Sequence, residues 1–242
     1  MKKTSRWYSD RIREQIQVVR WGFSGKPVLL FPTAGGDAEE VERFHLIGAV
    51  HSLIEGGRVK IYSCDSVAGR GLVSGQMSPR ECGRIMNAFD ACLYHEVVPA
   101  IRNDCGSQDL RIVAAGASIG AFNALAVLTR HPDAFAKAIC LSGTYDLDRL
   151  LGIEPTEDFW YSSPLHFLQG LDDGDHLAAL RGRFVLLAHG CGRAESPEQD
   201  WRIARLLGSK RIPNRVDEWG AEWPHDWGTW RAMLPKYLEE LA

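Results

Sequence analysis

The chain lacks any long apolar run. Its most hydrophobic stretches, such as VLLF at residues 28–31, fall far short of the ~20 residues that span a bilayer. The opening MKKTSRWYSDRIREQ has two lysines but no apolar segment behind them, which argues against a secretory signal and leads us to expect a cytoplasmic protein. Cysteine is sparse and scattered. Cys64, Cys82, Cys92, Cys105, Cys140 and Cys191 form no C-x-x-C pair, which speaks against a disulfide framework or a zinc ribbon. No two histidines stand at ligand spacing on a helix, so no metal and no cofactor are expected. Neither sign of charge dominates: 28 Lys and Arg against 31 Asp and Glu leave a net charge of −3, with no basic stripe for nucleic acid and no acidic tail. Repeats, low-complexity tracts and domain-splitting linkers are also missing. With 45% hydrophobic and 24% charged residues, the 242 residues suit one well-buried domain, 1–242.

What the sequence does contain is an alternation. Short apolar runs at residues 15–20, 28–31, 59–63, 111–115, 138–141, 184–188 and 215–219 read as strands. VLLF, RIVAA and FVLLA are apolar throughout, as strands covered on both faces are. Helical patterns lie between them at 38–55, 79–102, 118–130, 197–208 and 227–241. Asp37 is a suitable N-cap for the first, and Ser78 followed by Pro79 suits the start of the second. The expected fold class is α/β, with a doubly wound, mostly parallel sheet whose first run pairs antiparallel at an edge. The glycine-rich segment 66–78 reads as a surface loop. Residues 144–180, rich in aromatics, read as a short insertion or lid before the last two strands, and an ordinary pair of packing helices is the competing reading.

The most informative stretch is RIVAAGASIGAFN, residues 111–123, which holds Gly116-Ala117-Ser118-Ile119-Gly120. An apolar strand precedes this G-x-S-x-G pattern and an Ala-rich helix follows it. That is the context of a nucleophile elbow, in which the serine sits on a sharp strained turn and its neighbours two residues away must be small. The competing reading is a serine N-cap on a tight strand-to-helix turn.

Together with VLLFPTAGG, YSCDS, HEVVPAIR, CLSGTYDL and the tail WPHDWGTWRAMLPKYL, the elbow GASIGAFNAL resembles the α/β-hydrolase superfamily and, within it, a small bacterial esterase family related to esterase D. The glycine-rich residues 66–75 depart from that family, where an aromatic-bearing segment stands. The resemblance implies Ser118 as nucleophile and, from the chain order Ser, acid, His, His225 as general base, with His189 as runner-up. It implies Glu195 as the acid, ahead of the helix that Ser196 and Pro197 open, and Asp146 as the alternative acid. Glu198 and Asp200 read instead as first-turn carboxylates facing a helix dipole. Oxyanion donors are expected from the Ile119 amide and from Thr33 or Ala34. Trp160, Tyr161 and His166 are candidate pocket residues, and Trp219, Trp223, Trp227 and Trp230 read as packing around the His225 loop. The glycines from Gly69 to Gly75 and the segment Gly22 to Pro27 match neither dinucleotide nor phosphate-loop spacing.

The implied activity is a serine hydrolase acting on carboxylic esters through an acyl-enzyme. The alternatives are an acyltransferase or thioesterase using the same residues, or a non-catalytic binding protein of this fold. The expected partner is a small-molecule acyl substrate, with no nucleic acid or membrane partner; homo-oligomerisation is left open.

Overall fold

A computed structural model describes residues 1–74, 77–152 and 154–242. Eight strands form one sheet: β1 (Lys2–Ser9), β2 (Glu14–Trp21), β3 (Lys26–Phe31), β4 (Val59–Cys64), β5 (Ile112–Ala117), β6 (Phe135–Leu141), β7 (Phe184–His189) and β8 (Asn214–Glu218). Their spatial order is β1-β2-β4-β3-β5-β6-β7-β8. β2 runs antiparallel to both β1 and β4, and every other pairing is parallel. This is the doubly wound, mostly parallel α/β architecture that the alternation predicts.

The two-residue period of the strands builds a core on each face. Leu29, Phe31, Ala114, Val185 and Leu187 meet the helices Pro79–Cys92, Ile119–Arg130 and Pro197–Ser209 through Phe89, Phe122 and Ile203. Their neighbours Val28, Leu30, Val113, Leu186 and Ala188 face the other way, toward Met233 and Tyr237 of the C-terminal helix Trp227–Leu241. Strands covered on both sides have no reason to alternate polar and apolar residues, and β4 and β5 are buried along their whole length.

Four local readings differ from the structure. The edge strand is β1, which the sequence does not announce: KKTSRWYS is almost all exposed and is held by its hairpin with β2, from Lys2↔Trp21 to Ser9↔Glu14. The helix expected over residues 38–55 is three short pieces, Glu40–Arg43, Leu46–Ala49 and His51–Glu55, broken where His45 takes φ 65°. The helix over 79–102 begins as expected, with a capping box between Ser78 and Glu81, but a π-turn at Leu93–Val97 interrupts it before Val98–Asp104. Pro99 explains the interruption, because its ring clashes with the carbonyl four residues back and it donates no hydrogen bond. The expected surface loop at 66–78 contains a helix, Val67–Ser74, that buries Val67, Ala68 and Leu72; residues 75 and 76 lie outside the described residues.

The insertion between β6 and β7 is four short helices, Leu147–Leu151, Glu157–Ser162, Pro164–Gln169 and Asp175–Arg181. Glu157–Ser162 is seated on the helix Pro79–Cys92, where Asn87 donates to Asp158 at 2.8 Å and a Cβ on Gly83 would meet the Phe159 amide nitrogen at 2.6 Å. No helix among the described residues is long and apolar enough to cross a membrane.

Candidate active site

The loops at the carboxyl ends of β3, β5, β6, β7 and β8 converge, as expected for a site in an open α/β sheet. Ser118 follows β5 with φ 56° and ψ −121°, a backbone conformation that costs about 1–3 kcal/mol and persists only when its surroundings impose it. The surroundings are explicit. The Ser118 amide donates to Leu141 O at 3.0 Å, and the amides of Ala121 and Phe122 donate back to its carbonyl. A Cβ on Gly116 would lie 2.3 Å from Gly120 C and O, and one on Gly120 would lie 2.7 Å from the carbonyls of Phe31 and Pro32. Both glycines are therefore demanded by backbone packing, which is the physical content of the motif. The half-buried Ser118 hydroxyl stands 3.5 Å from the Thr144 hydroxyl.

His225 lies in the loop after β8. Its amide donates to Arg193 O at 3.0 Å, and its ring meets Trp230 edge-on at 5.1 Å between centroids. Asp226 then caps the last helix through the amides of Gly228 and Thr229. Glu195 reaches His225 from the loop after β7, with Oε2 3.4 Å from Nδ1, and its side chain is only 1% exposed. Its other oxygen is held more tightly. Oε1 accepts from the Ser142 hydroxyl at 2.6 Å and from the Gly190 amide at 3.3 Å, and Ser142 Oγ in turn accepts from Trp230 Nε1 at 3.0 Å. The chain Trp230 to Ser142 to Glu195 to His225 gives a buried carboxylate the partners that it needs. Sequence reading missed Ser142 altogether. Its one signal is the position directly after β6, where it takes φ 47°.

The alternatives are occupied elsewhere. Asp146 Oδ2 accepts from Arg202 at 2.7 Å, and His189 Nδ1 pairs with Asp200 at 2.8 Å. Asp200 does stand in the first turn of the helix Pro197–Ser209, as the sequence suggests, and it is also the buried partner of a buried imidazole. Burial raises its pKa, an effect that the hydrogen bond from His189 only partly offsets.

Of the two oxyanion candidates on the loop after β3, the Thr33 amide already donates to Glu40 Oε2 at 2.6 Å, and the Thr33 hydroxyl bonds the same carboxylate. The amides of Ala34 and Ile119 have no hydrogen-bond partner among the described residues. Ser66 Oγ donates to Ala34 O at 3.0 Å, which pins the loop from the other side. Trp160 covers Gly170, Tyr161 faces Arg130 at the far end of the elbow helix, and His166 lies 3.4 Å from Asp148. A cavity of about 540 Å³ instead opens beside Thr144, lined by Asp146, Arg149, Ser196, Gln199 and Arg202.

The family model described as "Putative esterase" matches residues 71–241. The chain belongs to this esterase family. The matched span includes Ser118, Glu195 and His225, whereas the loop of Thr33 and Ala34 lies before it. The fold resembles that of a ferulic acid esterase, with a TM-score of 0.71 and 16% identity over 98% of this chain and 95% of that one. It also resembles the S-formylglutathione hydrolase FrmB from Staphylococcus aureus (TM-score 0.71, 13% identity, 99% and 95% covered) and an S-formylglutathione hydrolase from Agrobacterium tumefaciens (0.72, 11%, 99% and 94%). A sequence search of curated proteins finds no significant match. This esterase-type hydrolase is thus similar in fold to S-formylglutathione hydrolases across nearly its full length.

Proposed function

We propose that this esterase hydrolyses carboxylic esters through an acyl-enzyme on Ser118, with His225 as base and Glu195 as the acid that orients it. The observation that carries this reading is the Glu195–His225 contact, taken together with a serine held at φ 56° on the turn after β5. With Nδ1–H donating to Glu195, the Nε2 lone pair of His225 is free to take the Ser118 proton. Oγ then bonds the acyl carbon, and the carbonyl electrons move onto oxygen. The amides of Ile119 and Ala34 are the donors for that oxyanion, because the Thr33 amide is committed to Glu40. Collapse of the intermediate expels the alkoxide, which leaves with the proton from His225. Water attacks the acyl-enzyme by the same route and releases the acid.

The His225 side chain is 22% exposed, so water reaches the base, and this favours hydrolysis over transfer to another acceptor. The cavity beside Thr144 carries Arg149, Arg202 and Asp146, a lining suited to a polar acyl or leaving group more than to a long lipid chain. The test is hydrolysis of short-chain and polar aryl esters by wild type, Ser118→Ala and Glu195→Gln. Ser118→Ala should abolish turnover, and Glu195→Gln should lower kcat by about 10³–10⁴. Retained turnover in folded Ser118→Ala contradicts the mechanism.

A further inference from the structure

We propose that His189, Cys191 and Glu218 form a binding site for a divalent transition metal, zinc being the natural fit, that ties the loop bearing Glu195 to the end of β8. The sheet brings the ligands together. His189 ends β7, Glu218 ends β8, and the two are register partners, so their side chains leave the same face side by side. Cys191 follows two residues later, its amide donating to Gly220 O at 3.1 Å. The three ligand atoms all lie within 4.8 Å of one another, and His189 Nε2 is 3.5 Å from Glu218 Oε2. Ligands about 2.0–2.3 Å from a tetrahedral zinc ion stand roughly 3.3–3.8 Å apart, so the exposed Cys191 and Glu218 need close in only a little.

The buried half of the site is independent evidence. The His189 side chain is 1% exposed, and its Nε2 has no hydrogen-bond partner among the described residues. An unpartnered buried polar nitrogen is costly and uncommon. Its other nitrogen, Nδ1, lies 2.8 Å from the carboxylate of Asp200, itself buried. That contact fixes the proton on Nδ1 and leaves the Nε2 lone pair pointing at Cys191 and Glu218, the carboxylate–histidine arrangement that orients a metal-bound imidazole. Thiolate, imidazole and carboxylate are donors that zinc accepts, and the solvent side leaves room for a water as fourth ligand. On binding, the Cys191 thiol bonds the ion as thiolate and one proton leaves to solvent. The ion does not touch the reacting centre. It lies one residue from Gly190, whose amide bonds Glu195, so it acts on the stiffness of the acid loop.

The experiment is titration of chelator-stripped full chain with Co²⁺, followed by absorption, and then with Zn²⁺. The expected result is one equivalent of Co²⁺ with a thiolate-to-cobalt charge-transfer band, displaced by Zn²⁺, and a rise in Tm with Zn²⁺. Cys191→Ala and Glu218→Gln alter exposed side chains, so they should fold; the first should lose the band and the Tm shift. Asp200→Asn, if folded, should keep the band and weaken binding by about 10–100-fold. Absence of the band on folded wild type overturns the proposal, as does an unchanged band in Cys191→Ala.

Discussion

Ser142→Ala probes the support of the acid directly. The substitution removes the 2.6 Å hydrogen bond to Glu195 Oε1 and leaves Trp230 Nε1, on a side chain that is 4% exposed, without its acceptor. A hydrogen bond to a charged group contributes about 1.5–3 kcal/mol, and an orphaned buried donor costs about 1–3 kcal/mol. The terms overlap, so roughly 3 kcal/mol is the expected loss of stability. In a chain of this length that lowers Tm by about 6–12 °C. Activity should suffer separately. Glu195 keeps only the 3.3 Å bond from the Gly190 amide on that oxygen, so the carboxylate can turn away from His225. We expect kcat to fall about 10–100-fold with KM little changed, a smaller loss than for removal of the acid itself. Calorimetry and ester hydrolysis read the two effects. Trp230→Phe completes a double-mutant cycle, and a coupling of about 1 kcal/mol or more is expected for groups in one network. Unchanged Tm and kcat in Ser142→Ala, or strictly additive effects in the cycle, would falsify the network as drawn.

Two further predictions concern other carboxylates. Glu40→Gln should lower kcat about 10-fold without unfolding the chain, because the amide that replaces the carboxylate holds Thr33 less firmly and lets the loop of Ala34 drift; steady-state kinetics beside a melting curve checks it. Asp104 sits under Lys60, Tyr62 and Arg20: burial alone would raise its pKa, but the hydrogen bonds from these three outweigh burial and hold it down to about 2 from an ordinary 3.8. A depressed carboxylate adds stability above its unfolded pKa and loses it as pH falls through the folded value. Asp104→Asn should therefore cost roughly 2 kcal/mol near neutral pH, with the difference from wild type vanishing as pH approaches 2 in acid unfolding curves.

The sheet was legible because its central strands are apolar on both faces and the helices between them carry caps and periodicity. The C-terminal helix spans Trp227–Leu241, the same residues that its pattern marks. The elbow was legible because backbone packing leaves room for nothing larger than glycine at Gly116 and Gly120. β1 was not, since an exposed edge strand needs no apolar pattern when a hairpin holds it. The helix Val67–Ser74 was hidden by its glycines, one of which sits where a Cβ would be 1.5 Å from Ala34 O. Ser142 belongs to no motif, and its position after β6 acquires meaning only when the loop of Glu195 folds over it. Asp200 and His189 show the same limit. A helical first-turn carboxylate and a strand-end histidine look ordinary one at a time, and only the packing of the helix Pro197–Ser209 on the sheet makes them a buried pair. Pattern reading thus finds what backbone geometry demands, and misses polar contacts made between distant loops.

The proposed mechanism requires Ser118 to be an activated, accessible nucleophile. The most direct measurement is the intact mass of wild type and Ser118→Ala after exposure to a fluorophosphonate probe, which phosphonylates serines activated by a neighbouring base. One adduct is expected on wild type and none on the variant. A folded wild type that takes up no probe, or a variant labelled as readily as wild type, contradicts the mechanism.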